Sequence, residues 1–397
     1  MNLSYDAEHE VFRTQLRAFL DAHRGQFATT TAEGRPSPQM LAWQRLLIEN
    51  GYAARTVPRA YGGFGADPDI LCAQIISEEL IRAGAPFPLA NQGISMLVPT
   101  LLELGREDQK RAYIPPTLRG EMIWCQGYSE PGAGSDLASL STRAREDATH
   151  FIINGQKIWT STAHLADMMF CLVRTESDAP KHQGISYLLI DMTSPGIEVR
   201  PLRTMTGHSE FNEVFFTDVR VPKSNIVGER GQGWFVANAT LKHERGMLGD
   251  PNMAEARIQS IITLMRDEQV DGRRLIDNPL YRDRLMRLQA QALALRCNAM
   301  RLLTAAAAGE DGGLARLVVK LEGCELNHQL DGLAIDVLGE LGALYEGSAH
   351  LRAGGRWQRS FMFDLGLIIG GGTAQIQKNI IAERGLGLPR EPRSVRS

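Results

Sequence analysis

Two changes in the period of the apolar residues constrain this chain more than any other feature. Over residues 7–20, Val11, Leu16, Phe19 and Leu20 fall at helical intervals among charges, and the same spacing recurs at 40–50, 68–83 and 108–118. After Gly120 the texture turns to short runs rich in β-branched and aromatic residues, at 151–159, 168–174, 185–192, 197–202 and 212–221. Asn154-Gly155, Ser194-Pro195-Gly196 and Val221-Pro222 separate or turn these runs, the punctuation of an antiparallel sheet or barrel. From Gly233 long helical patterns return, at 282–308, 314–338 and 373–384.

The expected fold class is α+β in three parts: an N-terminal helical domain (1–121), a middle antiparallel β-barrel domain (122–232) and a C-terminal four-helix-bundle domain (233–397). At ~100–200 residues per domain, a chain of 397 residues, 43% of them hydrophobic, has room for two or three such cores. Helix, sheet, helix in that order disfavours the alternating βαβ of a nicotinamide-binding fold. The balance of 43 basic against 46 acidic side chains leaves no positive field to hold nucleic acid or an anionic membrane. Five scattered cysteines without a C-x-x-C pair fit a reducing compartment and offer neither a disulfide framework nor a zinc site. The acidic N-terminus and the lack of an eighteen-residue apolar run predict a soluble, untargeted, cytoplasmic protein.

Chemistry concentrates in residues 124–136, WCQGYSEPGAGSD, and 154–161, NGQKIWTS. Gly132 and Gly134 let backbone approach a flat ligand, and Ser129, Ser135 and Asp136 add short polar groups at a turn. Trp159 and Ser161 place an aromatic face and a hydroxyl at a strand end. Taken singly, such a turn is an ordinary loop and a lone tryptophan is core; it is the pair of segments that points to a ligand.

Both segments resemble the flavin-contacting segments of the FAD-dependent acyl-CoA dehydrogenase family, and the similarity extends to the early YGGFG turn (61–65) and the ending GGGTAQIQKNIIAERGLGLPR (370–390). The resemblance implies removal of an α-proton from an acyl thioester and passage of the β-hydrogen as hydride to flavin, giving a trans-2-enoyl-CoA. It implies that Gln126, Tyr128, Ser129, Ser135, Trp159 and Ser161 line the isoalloxazine, that Ser135 also lies near the CoA arm, and that Thr373 and Gln375 touch FAD.

Such chemistry needs a carboxylate base in an apolar pocket. Most of the family carries it in a YEGT segment, where this chain has Gly370-Gly371-Gly372-Thr373, with Gly371 at the base position. A minority carries it on the first helix of the C-terminal domain in a pattern ending Leu-x-x-Glu-Arg. Leu241-Lys242-His243-Glu244-Arg245 matches, so Glu244 is the candidate base, and Arg245 is expected to orient the substrate corner. Without the resemblance, Glu244 would read as a solvated helix residue. No P-loop, H-E-x-x-H motif or nucleophile elbow is present, so neither a metal nor a serine hydrolase is expected.

Two family positions that reach the neighbouring subunit's FAD are altered. Residues 271–285, DGRRLIDNPLYRDRL, hold no clear counterpart of the arginine, and Asp336 and Glu340 stand where a glutamine and a glycine would be. Acidic groups sit poorly beside a pyrophosphate. A homodimer or homotetramer with other contacts, and a heterotetramer with a second chain of the family, both remain open. The segment 210–222, EFNEVFFTDVRVP, also resembles the branch acting on steroid or bile-acid side chains. A bulky, branched or dicarboxylic acyl-CoA is the expected substrate and an electron-transfer flavoprotein the expected acceptor. The rival readings are a non-catalytic or base-donating subunit, and a flavin monooxygenase or oxidase on the same fold.

Overall fold

The computed structural model describes residues 5–27, 34–247, 251–310 and 313–390; the side chains of 244–247, 251–252, 306–307, 313–314 and 316 are outside that description. The chain divides into two compact units, one ending at Glu244 and the other beginning at Arg245.

The first unit opens with α1 (Ala7–Ala22), α2 (Pro38–Glu49), α3 (Ile70–Ala83), α4 (Val98–Leu104) and α5 (Glu107–Leu118). Their starts follow local chemistry. Asp6, Ser37 and Asp69 accept backbone N–H bonds as N-caps of α1, α2 and α3, and Pro38 begins α2 where no amide donor is needed. Gly84 ends α3 with φ +64, a left-handed conformation that suits glycine.

A mostly antiparallel eight-stranded sheet follows: β1 (Trp124–Gly127), β2 (Arg143–Glu146), β3 (His150–Ser161), β4 (Met168–Arg174), β5 (Ile185–Asp191), β6 (Ile197–Leu202), β7 (Phe211–Pro222) and β8 (Ile226–Val227). The order is β6-β7-β3-β2-β4-β5-β8, with β1 parallel to β4. A parallel partner needs a long crossover, and the excursion through β2 and β3 supplies it. Strand β4 is buried on both faces. Met168, Phe170 and Leu172 join the core shared with the helices, and Met169, Cys171 and Val173 join a second core with Ile153, Leu188, Val214 and Phe216.

Helix α6 (Gly233–Met247) starts on this unit. Val236 and Ala237 enter the helix-side core, while Thr240 Oγ1 lies 3.0 Å from Thr100 Oγ1 of α4 and 3.4 Å from the Tyr187 hydroxyl of β5. The second unit contains α7 (Pro251–Asp267), α8 (Pro279–Ala307), α9 (Gly313–Leu338), α10 (Arg356–Ile369) and the short α11 (Ala374–Ile380). Its core gathers Ile258, Ile261 and Met265 of α7, Leu285, Leu288 and Leu295 of α8, and Leu326, Leu330 and Leu333 of α9.

Two buried ionic clusters brace the units. In the first, Glu79 of α3, 1% exposed, accepts bonds from Arg13, Arg17 and Arg82. Burial would raise its pKa, but these guanidiniums hold it at about 2. In the second, Arg257 of α7 donates to both Asp331 of α9 (2.6 Å) and Asp364 of α10 (2.5 Å). Both aspartates are buried, and burial together with the neighbouring Asp364 raises the pKa of Asp331 against the pull of Arg257.

Glu79→Gln should cost about 3 kcal/mol, near the low end for a broken buried pair because Arg17 and Arg82 keep contact with water. A depressed pKa contributes stability above the unfolded value that is lost as pH falls, so the gap between variant and wild type in urea midpoint should close as pH falls from 4.5 toward 2. Asp331 works with the opposite sign: its stability contribution declines as pH rises from the ordinary carboxylate range through its raised pKa. Asp331→Asn should therefore flatten the fall in thermal midpoint between about pH 4 and about pH 8, and an unchanged slope over that window would count against the assignment.

Candidate active site

The segments 124–136 and 154–161 come together in the first unit. Ile158 N–H donates to Ser129 O at 2.9 Å, and the ammonium of Lys157 reaches Tyr128 O at 3.1 Å. The turn within the first segment is closed by the reciprocal Glu130 and Ala133 backbone bonds, 3.0 Å each way. Gly132 and Gly134 have nothing within 4 Å of where a Cβ would stand, so the turn presents bare backbone to open space.

Trp159 departs from ordinary strand geometry. Lys157 pairs with Val214 and Thr160 with Asn212, so β3 carries one extra residue against β7. The bulge places Trp159 at φ +59, a left-handed conformation rare for a bulky side chain. In a regular strand residues 157 and 159 share a face. Here Lys157 is fully buried and Trp159 is 58% exposed, its indole edge-on to Phe211 at 5.9 Å. Asn212, itself buried, secures the bulge by donating to Thr160 O at 2.9 Å, and His164 Nδ1 lies 3.1 Å from Asn212 Oδ1. An exposed indole face on a strained backbone beside open glycine backbone is the form a flat aromatic ring would fit.

The other expected residues are placed as follows. Gln126, Ser129 and Ser161 are half-buried and Ser135 is exposed. Tyr128 turns its ring into the core, edge-on to Phe170 (5.9 Å) and Tyr187 (6.3 Å). Thr373 and Gln375 belong to the second unit, where Thr373 caps α11 through Ile376 N–H (3.2 Å) and Gln375 is exposed. Glu244 and Arg245 lie on α6, and their side chains are outside the described residues. His243 beside them is half-buried, and burial lowers its pKa.

Sequence reasoning passed over Lys157 and Glu130, which form the most buried ion pair of the two segments. Lys157 Nζ sits 2.8 Å from Glu130 Oε1, with the side chains 0% and 5% exposed. Burial would raise the Glu130 pKa, but Lys157 and the bonds from Thr142 and Ser141 hold it at about 2. The alternation of Phe151 and Ile153 already put position 157 on the inward face of β3, a signal present in the sequence.

The glycine turn ahead of α11 is equally specific. Gly371 and Gly372 have φ +65 and +96. Gly371 O accepts from Gln377 Nε2 at 3.0 Å, and the buried Lys320 ammonium donates to Gly372 O (2.7 Å) and Ile368 O (2.9 Å). A side chain at 371 would sit on a left-handed backbone pinned from two sides. Elsewhere, Asp336 carries a bond from Arg284 of α8 at 2.5 Å, so its charge is met within its own unit. His9, Asp69 and Cys72 bring ligand-type atoms within 4.8 Å of one another, but Asp69 Oδ1 is committed to capping α3 and Oδ2 to His9 and Cys72.

Three family comparisons cover nearly the whole chain: the acyl-CoA dehydrogenase N-terminal domain matches residues 6–121, the middle domain 125–219 and the C-terminal domain 231–386. Acyl-CoA dehydrogenase IpdE1 of Mycobacterium tuberculosis is 39% identical over 96% of this chain and 98% of its own length. Among solved structures, the Tcur3481-Tcur3483 steroid ACAD superposes with a TM-score of 0.81 at 30% identity, covering 98% of this chain and 100% of that one. The ChsE4-ChsE5 complex from Mycobacterium tuberculosis gives 0.79 at 31%, again over 98% and 100%. The α+β fold of helical, β and helical domains is the family's. The chain belongs to the acyl-CoA dehydrogenase family, the FAD-dependent oxidoreductases of acyl-CoA thioesters.

Proposed function

We propose that this acyl-CoA dehydrogenase acts on a bulky, branched or dicarboxylic acyl-CoA, a steroid side-chain thioester being the leading case, with Glu244 as general base. The observation that carries the reading is the glycine turn. Position 371, which bears the base in most of the family, is held at φ +65 with its carbonyl bonded to Gln377, so the proton must go to a carboxylate elsewhere. Glu244 fits that need from a helix whose earlier turns are anchored to β5 and α4 through Thr240.

FAD, when bound, supplies the acceptor for the β-hydrogen. Gln126, Tyr128, Ser129, Ser135, Trp159 and Ser161 are proposed to hold it in the first unit, and Thr373 and Gln375 from the second. The exposed indole and open glycine backbone support this assignment. Ser135 would meet the CoA arm and Arg245 orient the thioester. Glu244 would take the α-proton, and burial of the reacting carbon would keep that carboxylate basic.

A steroid substrate is supported by the name of one structural relative, and a two-chain assembly by the paired names of both. The altered positions Asp336 and Glu340 favour such an assembly over a homo-oligomer, with the partner supplying the missing flavin contacts. An electron-transfer flavoprotein as acceptor, domain limits of 1–121, 122–232 and 233–397, and a cytoplasmic location complete the proposal. Among the described residues no helix is long and apolar enough to cross a membrane. A silent subunit or an oxidase is less favoured, because curated relatives 39% and 37% identical to the chain carry dehydrogenase names.

The test is anaerobic mixing of the purified protein with straight-chain, dicarboxylic and steroid side-chain acyl-CoA thioesters, following bleaching of the yellow flavin. Glu244→Gln should slow bleaching by roughly 10²–10⁴-fold with FAD content unchanged; bleaching at the wild-type rate would place the base elsewhere. Full FAD occupancy and full activity in the chain expressed alone would remove the two-chain assembly.

A further inference from the structure

The Lys157 and Glu130 pair calls for an explanation beyond stability. Burying two charges carries a large desolvation cost, and apolar replacements of similar volume are often as stable or more so. The observed contacts show what the pair specifies. Lys157 Nζ binds Glu130 Oε1 at 2.8 Å and Tyr128 O at 3.1 Å. Glu130 Oε1 also accepts from Thr142 N–H (2.8 Å), and Oε2 accepts from the Ser141 N–H (2.6 Å) and hydroxyl (2.8 Å). One ion pair therefore ties together strand β3, the turn at 128–133 and the chain entering β2.

Two consequences reach the proposed flavin surface. A trans peptide directs its C=O and N–H oppositely, so holding Tyr128 O against the ammonium turns the Ser129 N–H away from it. On β3, the anchored Lys157 side chain fixes where the strand stops pointing inward, and the bulge directly after it sends Trp159 outward at φ +59.

We propose that the buried Lys157–Glu130 pair is a positioning element for the cofactor: it sets the Tyr128–Ser129 peptide and the Trp159 indole in the arrangement that receives the flavin ring. The proposal rests on the assignment of residues 126–136 and 159–161 to that ring. Neither partner touches the flavin; both act through the backbone they hold.

The test compares wild type with Lys157→Met/Glu130→Gln, which removes both charges together and leaves neither uncompensated. Three quantities are read: the thermal midpoint of the FAD-free protein, FAD affinity by fluorescence titration, and the position and fine structure of the bound flavin's visible absorption. The expected result is a near-unchanged midpoint, FAD affinity weakened about tenfold or more as charge-assisted backbone positioning is lost, and an altered flavin band. A folded double variant with wild-type affinity and band overturns the proposal. If the double variant yields no folded protein, Lys157→Arg decides: its longer guanidinium cannot keep both the Glu130 and Tyr128 contacts without moving the turn. Wild-type affinity and band in that variant overturn the proposal equally.

Trp159→Ala and Ser129→Ala separate the two levels. Reduced affinity or a shifted band in these variants, with none in the charge-pair variants, sinks the positioning role alone. Wild-type affinity and band in both sink the ring assignment, and the positioning role with it.

Discussion

Two-sided burial of strand β4 is the constraint around which the first unit is built. Its six residues from Met168 to Val173 contribute alternately to the core shared with the helices and to the core enclosed by the sheet, so neither can form without it. Because successive side chains point to opposite faces, a one-residue slip would exchange Phe170 and Leu172 with Met169 and Cys171 and spoil both cores. β1 lies parallel along β4 in the same register, with Trp124 opposite Met168 and Gly127 opposite Cys171. The proposed cofactor turn begins at the end of β1, and its starting point is thereby fixed. A Cβ on Gly127 would meet Met169 Sδ at 2.4 Å, which shows how closely that end is packed.

Where geometry must be precise, this protein accepts polar burial. Lys157 under the turn, Lys320 under the glycine turn, Thr100 with Thr240, and Arg257 between two aspartates each join backbone or side chains from different elements. A hydrophobic contact tolerates sliding by fractions of an ångström; a hydrogen-bonded charge in a low-dielectric interior does not. Both buried lysines grip backbone carbonyls at the edge of a segment assigned to FAD, Tyr128 O in one case and Gly372 O in the other.

Much of the fold was legible because its elements are long and strongly periodic. The stretch 168–174 emerges with the limits its apolar run suggested, and 314–338 differs by one residue. Shorter or less regular elements were not legible. β1 is four residues whose Gln126 and Gly127 break any alternation, and its pairing is decided by β4, far along the chain. The stretch 93–104 is an apolar run holding Pro99 and forms a π turn leading into α4, a conformation no simple period announces. Helices α7 and α10 passed unread; α7 carries a core-facing stripe, whereas α10 gives the core Trp357 and otherwise buries the polar Gln358 and Asp364.

At the site, the residues were found by their likeness to a family, while the way they are held was not. Nothing local marks Trp159 as left-handed, since no glycine, asparagine or aspartate stands there; the bulge arises from the register of β3 against β7. The partners of Lys157 lie 27 and 29 residues away, a distance over which composition says nothing. The altered glutamine position looked hostile to a phosphate in the sequence, yet Arg284, also unremarked, answers the charge of Asp336.

The turn at Gly371 and Gly372 also bears on how such an enzyme can change over generations. A glutamate reintroduced at 371 would arrive on a backbone suited to glycine, with Gln377 and Lys320 still gripping the carbonyls on either side. Regaining the commoner arrangement would require remodelling the turn and its two clasps along with the codon, and every intermediate would bear the strain. With the base at Glu244, as proposed, the arrangement would behave as a ratchet, and descendants of this lineage would be expected to diversify their acyl pocket around the corner at 371 rather than refill it.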